Sequence, residues 1–321
     1  MLLKKLSLCL TLFLVLSGCS ASSSIKTNKN EPSNYNSTIS NNFNTSNGTK
    51  PTKNAPNLIP NFPQVQPYIP TIADPVLPNK PFTPVEISNT LELQTKKISW
   101  SWKYSPKDTS ALLSKYHGYA FGDTSSKVIY LTFDEGYENG YTASILDTLK
   151  ANNVQAAFFV TDTYVTGEFK GRKNLDLLKR MSNEGHLICN HSIHHQSMPS
   201  YIDETIFNKE LIGVETRVDN IPGLKMSKFF RPPMGDFSEL SLYYTQKLGY
   251  KSIFFGLAYN DWDPKNQPDP ETSKKNLLKD TKPGIICLLH PESKTNDTIL
   301  DALIKEWTSL GYKFKTLKEL P

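Results

Sequence analysis

The chain is poor in cysteine. Four residues in 321 are too few for a disulfide framework. The two in its body, Cys189 and Cys287, lie in the apolar runs "LICN" and "GIICLLH", where a free buried thiol is common; their pairing stays open. Neither a dinucleotide-binding glycine fingerprint nor a phosphate loop occurs, which removes two nucleotide-dependent classes. Lysine and arginine are dispersed and no base-stacking signature accompanies them, so a net charge of +5 does not point to nucleic acid. It suits an anionic wall polymer or a membrane surface better. Histidine is scarce too, six in all, yet three of the six are His191, His194 and His195.

A long run of apolar residues able to span a bilayer is also missing. Leu6 to Leu16 is too short for an ordinary spanning helix, follows Lys4 and Lys5, and precedes "LSGC", so residues 1–18 read as a secretion signal. "LSGC" resembles a bacterial lipobox at all four positions. What that resemblance implies is cleavage before Cys19, lipid on its thiol, and a mature protein tethered outside the cytoplasmic membrane. Residues 19–97 are dominated by Asn, Ser, Thr and Pro without helical period or strand alternation, and read as a disordered or extended tether. Its proline-rich half is expected to be the stiffer one.

Residues 98–321 have the length of one α/β domain. Apolar runs "KVIYLTF", "VQAAFFV", "HLICN", "KFFR", "SIFFGLA" and "GIICLLH" predict strands. Between them, stripes at helical spacing, such as Phe207, Leu211, Val214 and Val218, predict helices. Strands alternating with helices argue for a parallel sheet. A barrel is preferred over an open sheet because acids, histidines and an arginine recur at the ends of several strands, where a barrel gathers them around one mouth.

Five segments carry that chemistry. "TFDEGYENGYT" ends a buried run on Asp134 and Glu135, although burying unpaired carboxylates is costly; the segment is either a solvated turn or a place that needs negative charge. "NHSIHHQSMP" sets His191 and His195 four residues apart, so that a helical turn or a loop can bring both imidazoles to one divalent metal. In "FFRPPMGDFS", Arg231 ends a strand with a guanidinium able to brace an acid, and Gly235 permits a tight approach. "YNDWDP" adds Asp261 and Trp262, and "LLHP" puts His290 at the end of an apolar strand.

In this order the five segments resemble the polysaccharide deacetylases, carbohydrate esterase family 4, over Lys127 to Leu320. The longer forms "YLTFDEGYENGYT", "EGHLICNHSIHH" and "RPPMGDFSE" look like the branch that deacetylates N-acetylmuramic acid during synthesis of spore-cortex muramic δ-lactam, a step of sporulation. The resemblance implies a distorted (β/α) barrel and metal-dependent hydrolysis of an N-acetyl amide in peptidoglycan strands, with no obligate protein partner. It implies Asp134 as general base, Arg231 as its brace, His290 as general acid and Asp261 as the residue orienting it. Glu135, His191 and His195 would hold the metal, zinc or another first-row divalent ion. Trp262 and Leu288 would line the sugar and acetyl pocket, with Glu138, Asn139 and His194 as further substrate contacts. Glu138 and Asn139 equally suit a cap on the helix that follows. Glu135 departs from the family, which has a second Asp there. Two alternatives stand beside the muramic substrate: an N-acetylglucosamine polymer, or a wall-binding protein with a weakened metal site.

Overall fold

The computed structural model describes residues 82–101 and 109–321. The chain divides into two units, Met1–Pro67 and Tyr68–Pro321, the first wholly outside the described residues. The signal, Cys19 and the tether as far as residue 81 therefore lie outside them as well.

One parallel sheet organises the body. Its strands in chain order are β1 (Gly118–Tyr119), β2 (Val128–Glu135), β3 (Ala157–Val160), β4 (Leu187–Asn190), β5 (Ser227–Phe230), β6 (Lys251–Ile253), β7 (Ile285–Leu289) and β8 (Lys313–Phe314). They pair in the order β7, β2, β3, β4, β5, β6, β1, with β8 also on β2, and every pairing is parallel. The two ends of this order meet through isolated bridges, Phe121 to Ile285 and Leu257 to Cys287, rather than through a ladder. That seam makes the barrel a distorted one, as the resemblance implies. Gly122 N–H donates to Gly284 O at 2.7 Å there. Gly284 has φ 73°, and a Cβ on it would stand 2.6 Å from the Asp123 carbonyl, so the seam requires glycine.

Strand alternation sorts the side chains into two layers. Val128, Tyr130, Phe159, Cys189, Phe229, Ile253 and Ile286 form one apolar cluster with Leu317 and Leu320, free of residues from the long helices. This is the barrel interior. Ile129, Leu131, Phe133, Phe158, Ile188, Phe230, Ile285 and Leu289 belong to the other cluster, with the buried stripes of the surrounding helices. Those helices are α1 (Ser110–Lys115), α2 (Thr142–Ala151), α3 (Asp162–Thr166), α4 (Leu175–Asn183), α5 (Glu204–Asp219), α6 (Glu239–Lys247), α7 (Pro270–Asp280) and α8 (Lys294–Ser309). Cys189 and Cys287 are free, buried and on opposite layers, which excludes their pairing.

One difference from the sequence-based expectation concerns the margin of the body. Residues 82–97, assigned to the tether, lie against α6: Val85 exchanges two hydrogen bonds with the Gln246 side chain at 2.8 and 2.7 Å, and Leu93 is buried. The body therefore begins before residue 98. Among the described residues no helix is long and apolar enough to cross a membrane.

Candidate active site

A cavity of about 640 Å³ opens at the carboxyl ends of the strands, lined among others by Asp134, His191, His194, His195, Arg231, Trp262, Leu288 and His290. Alternation explains the convergence. Asp134 continues the inward series Val128, Tyr130, Thr132; His191 continues Leu187, Cys189; Arg231 follows Phe229; His290 follows Ile286, Leu288. Each acts from the last inward position of its strand or the first beyond it.

Arg231 is buried and fully engaged. Its Nη1 donates to Asp134 Oδ1 at 2.6 Å, Nη2 to Thr132 Oγ1 at 2.8 Å and Nε to the Ile253 carbonyl at 3.2 Å, while the guanidinium stacks 4.2 Å from the Phe159 ring centroid. Burial pushes the Asp134 carboxyl up. The charges of Arg231, first, and of His290 outweigh it and hold the group below the ordinary carboxylate range, so Asp134 is ionised at neutral pH. Its second oxygen, Oδ2, lies 3.5 Å from His191 Nε2.

On the other side, His290 is held by Asp261 twice. Its Nδ1 lies 2.7 Å from Asp261 Oδ1, and its backbone N–H donates to Oδ2 at 2.9 Å. Asn296 donates to the same Oδ2 at 2.6 Å and to the His290 carbonyl at 2.9 Å, from the first turn of α8 that Ser293 caps. Burial lowers the imidazole, but the charge and hydrogen bond of Asp261 raise it more, to about 9. The cavity thus holds an ionised carboxylate and a protonated imidazole together at neutral pH, the pairing a base-and-acid hydrolysis requires.

Residues 121–253 match the family model described as polysaccharide deacetylase. The chain is 43% identical over 214 residues to an uncharacterized 30.6 kDa protein of Geobacillus stearothermophilus, covering 67% of this chain and 78% of that one. It is 39% identical over 231 residues to the peptidoglycan-N-acetylmuramic acid deacetylase PdaA of Bacillus subtilis, covering 70% and 85%. The solved structure of PdaA, a family 4 carbohydrate esterase, aligns with a TM-score of 0.66 at 38% identity over 71% of this chain and 98% of that one. The chain belongs to the polysaccharide deacetylase family.

Polysaccharide deacetylases of this family are generally metal-dependent, and two of the three expected donors here fit a divalent ion. His191 Nδ1 is engaged 2.8 Å from the Arg231 carbonyl, which orients the ring and leaves Nε2 available. Burial lowers His191 to about 4, which keeps it in the neutral form that ligates. The His195 ring stands 4.8 Å from it, T-shaped. A loop, not a helical turn, brings them together: Ser192 and His195 take left-handed φ values of 70° and 52°, and Ser192 Oγ accepts the His195 N–H at 3.0 Å.

Glu135 does not join them. One residue past Asp134, it faces the helical layer, where Thr142 Oγ1 lies 3.4 Å from its Oε1 and Oε2 is buried without a partner. Burial, then the nearby Glu292 and Glu138, raise its carboxyl well above the ordinary range. Among the described residues, no group of three or more His, Cys, Asp or Glu encloses a metal position.

Trp262, Leu288 and His194 line the cavity, whereas Glu138 and Asn139 do not. Glu138 Oε1 accepts the Gly140 N–H at 2.5 Å, at the entrance to α2, and Asn139 donates to the Glu292 carbonyl at 2.9 Å. They shape the loop over α2. Gly235 has φ 68°, and a Cβ on it would meet Trp100 O at 2.0 Å, which is the close approach expected of that position. Sequence reasoning missed Thr132, Glu210 and Asn296. The first stands two residues before Asp134 on the same face, and the second is an acid on the core stripe of α5 among Phe207, Leu211 and Val214. Those periods were a usable signal; Asn296 left none.

Proposed function

We propose that the protein removes the acetyl group from muramic acid residues of peptidoglycan, outside the cytoplasmic membrane, on a lipid tether at Cys19. The observation that carries the reaction is the juxtaposition of Asp134, ionised by Arg231, with His290, protonated beside Asp261. The muramic substrate is supported by the 39% identity to PdaA across 85% of that enzyme.

His191 and His195 would hold the metal, and their nitrogen donors suit zinc or another first-row divalent ion. Bound there, it would supply polarisation of the acetyl carbonyl. The chain's own groups move the protons. Asp134 takes one from a water whose oxygen bonds to the acetyl carbon, and Arg231 keeps that carboxylate aimed and ionised. His290 gives its proton to the sugar nitrogen as the carbon–nitrogen bond breaks, so acetate and a free amine leave. Asp261 holds the imidazole through both steps. The amine so uncovered leads toward muramic δ-lactam.

Full-length protein given peptide-free muramic glycans and chitin oligomers, with supplied divalent metals, tests this by mass spectrometry of acetate and deacetylated sugar. Acetate from the muramic glycan is expected. Turnover of chitin with none of the muramic glycan contradicts the substrate, and binding without acetate release makes the protein a wall binder. Intact mass of the membrane-extracted protein tests the anchor: an unmodified chain still carrying residues 1–18 contradicts it.

A further inference from the structure

Two aromatic side chains that line this cavity are also exposed, Tyr137 at 43% and Trp262 at 45%. Trp262 lies against the proton donor, its ring T-shaped to His290 at 6.0 Å between centroids. Tyr137 has no part in the proton path. Burial, then the charges of Glu292 and Asp263, raise its phenol above the ordinary range, so the ring is neutral and lies toward Asp263, the residue after Trp262. Among the described residues its hydroxyl makes no hydrogen bond.

The loop that carries Tyr137 is nevertheless tied on both sides of it. Thr161 Oγ1 donates to the Gly136 carbonyl at 3.2 Å, and Asn139 Nδ2 donates to the Glu292 carbonyl at 2.9 Å. Holding a loop costs backbone entropy, and leaving a large ring exposed forgoes the stabilisation of burying it. A ring fixed in the open at the edge of a cavity gains its burial from a ligand.

The reacting sugar is one residue of a strand. Its acetyl carbon has to lie between Asp134 and His290, so the neighbouring sugars leave along the rim, where Tyr137 stands. A pyranose carries C–H groups on its faces and hydroxyls around its edge. An uncharged ring without a hydrogen bond of its own matches the face.

We propose that Tyr137 is a specificity-determining residue whose ring forms a separate subsite for a sugar adjoining the one that reacts. The subsite takes the apolar face of a pyranose and so favours a glycan strand over an isolated sugar. The inference rests on the glycan deacetylation proposed above.

Full-length wild type, Tyr137→Ala and Tyr137→Phe are assayed for acetate release from a peptide-free muramic hexasaccharide, with fold checked by circular dichroism. Tyr137→Ala raises KM about tenfold, the size of one lost aromatic contact, and leaves kcat within about twofold. Tyr137→Phe keeps the wild-type KM, because the face and not the hydroxyl is used. On the two disaccharides that place the muramic residue at opposite ends, Tyr137→Ala raises KM for one only, since only one lays its second sugar over the ring. Should wild type not turn over the disaccharides, the hexasaccharide decides alone. An unchanged KM in Tyr137→Ala, a loss confined to kcat, a Tyr137→Phe as impaired as Tyr137→Ala, or equal KM rises on both disaccharides overturns the subsite while the deacetylase reading stands. A wild type active on chitin oligomers alone contradicts the muramic substrate, and the same variants on the chitin hexasaccharide then decide the subsite. A wild type inactive on both removes both.

Discussion

Two histidines of this cavity are bound in the same manner and differ in their surroundings. His290 and His194 each set Nδ1 2.7 Å from a carboxylate that also accepts the backbone N–H of the same residue. His290 lies at the floor, its side chain 18% exposed, on an Asp261 that Asn296 also binds; His194 stands at the rim, 67% exposed. Where water is excluded, the carboxylate raises the imidazole to about 9 and makes a proton donor. Where water is present, the same bonds fix a direction. Local geometry therefore does not define the role of a histidine–carboxylate pair; depth does.

The largest effect separates the two pairs by chemistry. His290→Ala removes the acid and lowers kcat by about 10²–10⁴-fold, with metal content kept. Kinetics and metal analysis on this variant and on His194→Ala check it: an equal kcat loss in both would erase the contrast. The pH profile sharpens it next. Activity falls in acid as Asp134 takes up a proton, and falls again as pH rises through about 9, where His290 loses the proton it must give. Asp261→Asn removes the charge that raises the imidazole and leaves the burial that lowers it, so the alkaline limb moves to lower pH. A limb that stays put assigns it to another group.

The smallest expected effect lies on the opposite face of β2. Glu135→Gln leaves metal content and kcat close to wild type, because that side chain faces Thr142 and not the histidines. Its folded-state pKa is raised, so the folded protein binds the proton more tightly than the unfolded chain. Its contribution to stability is lost as pH rises above the unfolded value. The variant is therefore more stable than wild type at neutral pH, with a flatter pH dependence in thermal melts. Loss of metal in Glu135→Gln would return it to the ligand set.

The same strand shows what was legible in the sequence. "VIYLTF" announces a buried strand because both of its faces are covered, and for that reason it does not reveal which face looks inward. With the inward face hidden, Asp134 and Glu135 could not be told apart by orientation. Barrel class, the positions of the six longer strands and the place of Asp134, Arg231, Asp261 and His290 at or near strand ends were readable from apolar runs and motif order; the two-residue strands β1 and β8 were too short to signal themselves. Helix α7 was not, since its exposed, lysine-rich sequence buries only Ser273 and Leu277. The docking of residues 82–97 was hidden too, because its apolar anchors, Val85, Ile87 and Leu93, fall at no regular period among residues whose polar partners, Gln246 and Glu239, lie far along the chain.

Acetate release by Asp134→Asn tests the central claim most directly. Carboxamide and carboxylate are nearly the same size, so fold by circular dichroism and metal content can be matched to wild type while the base is gone. With both matched, turnover of the peptide-free muramic glycan falls by about 10²–10⁴-fold. Near-normal turnover under those conditions would contradict the assignment of Asp134 as the base and, with it, the proton path drawn from Asp134 to His290.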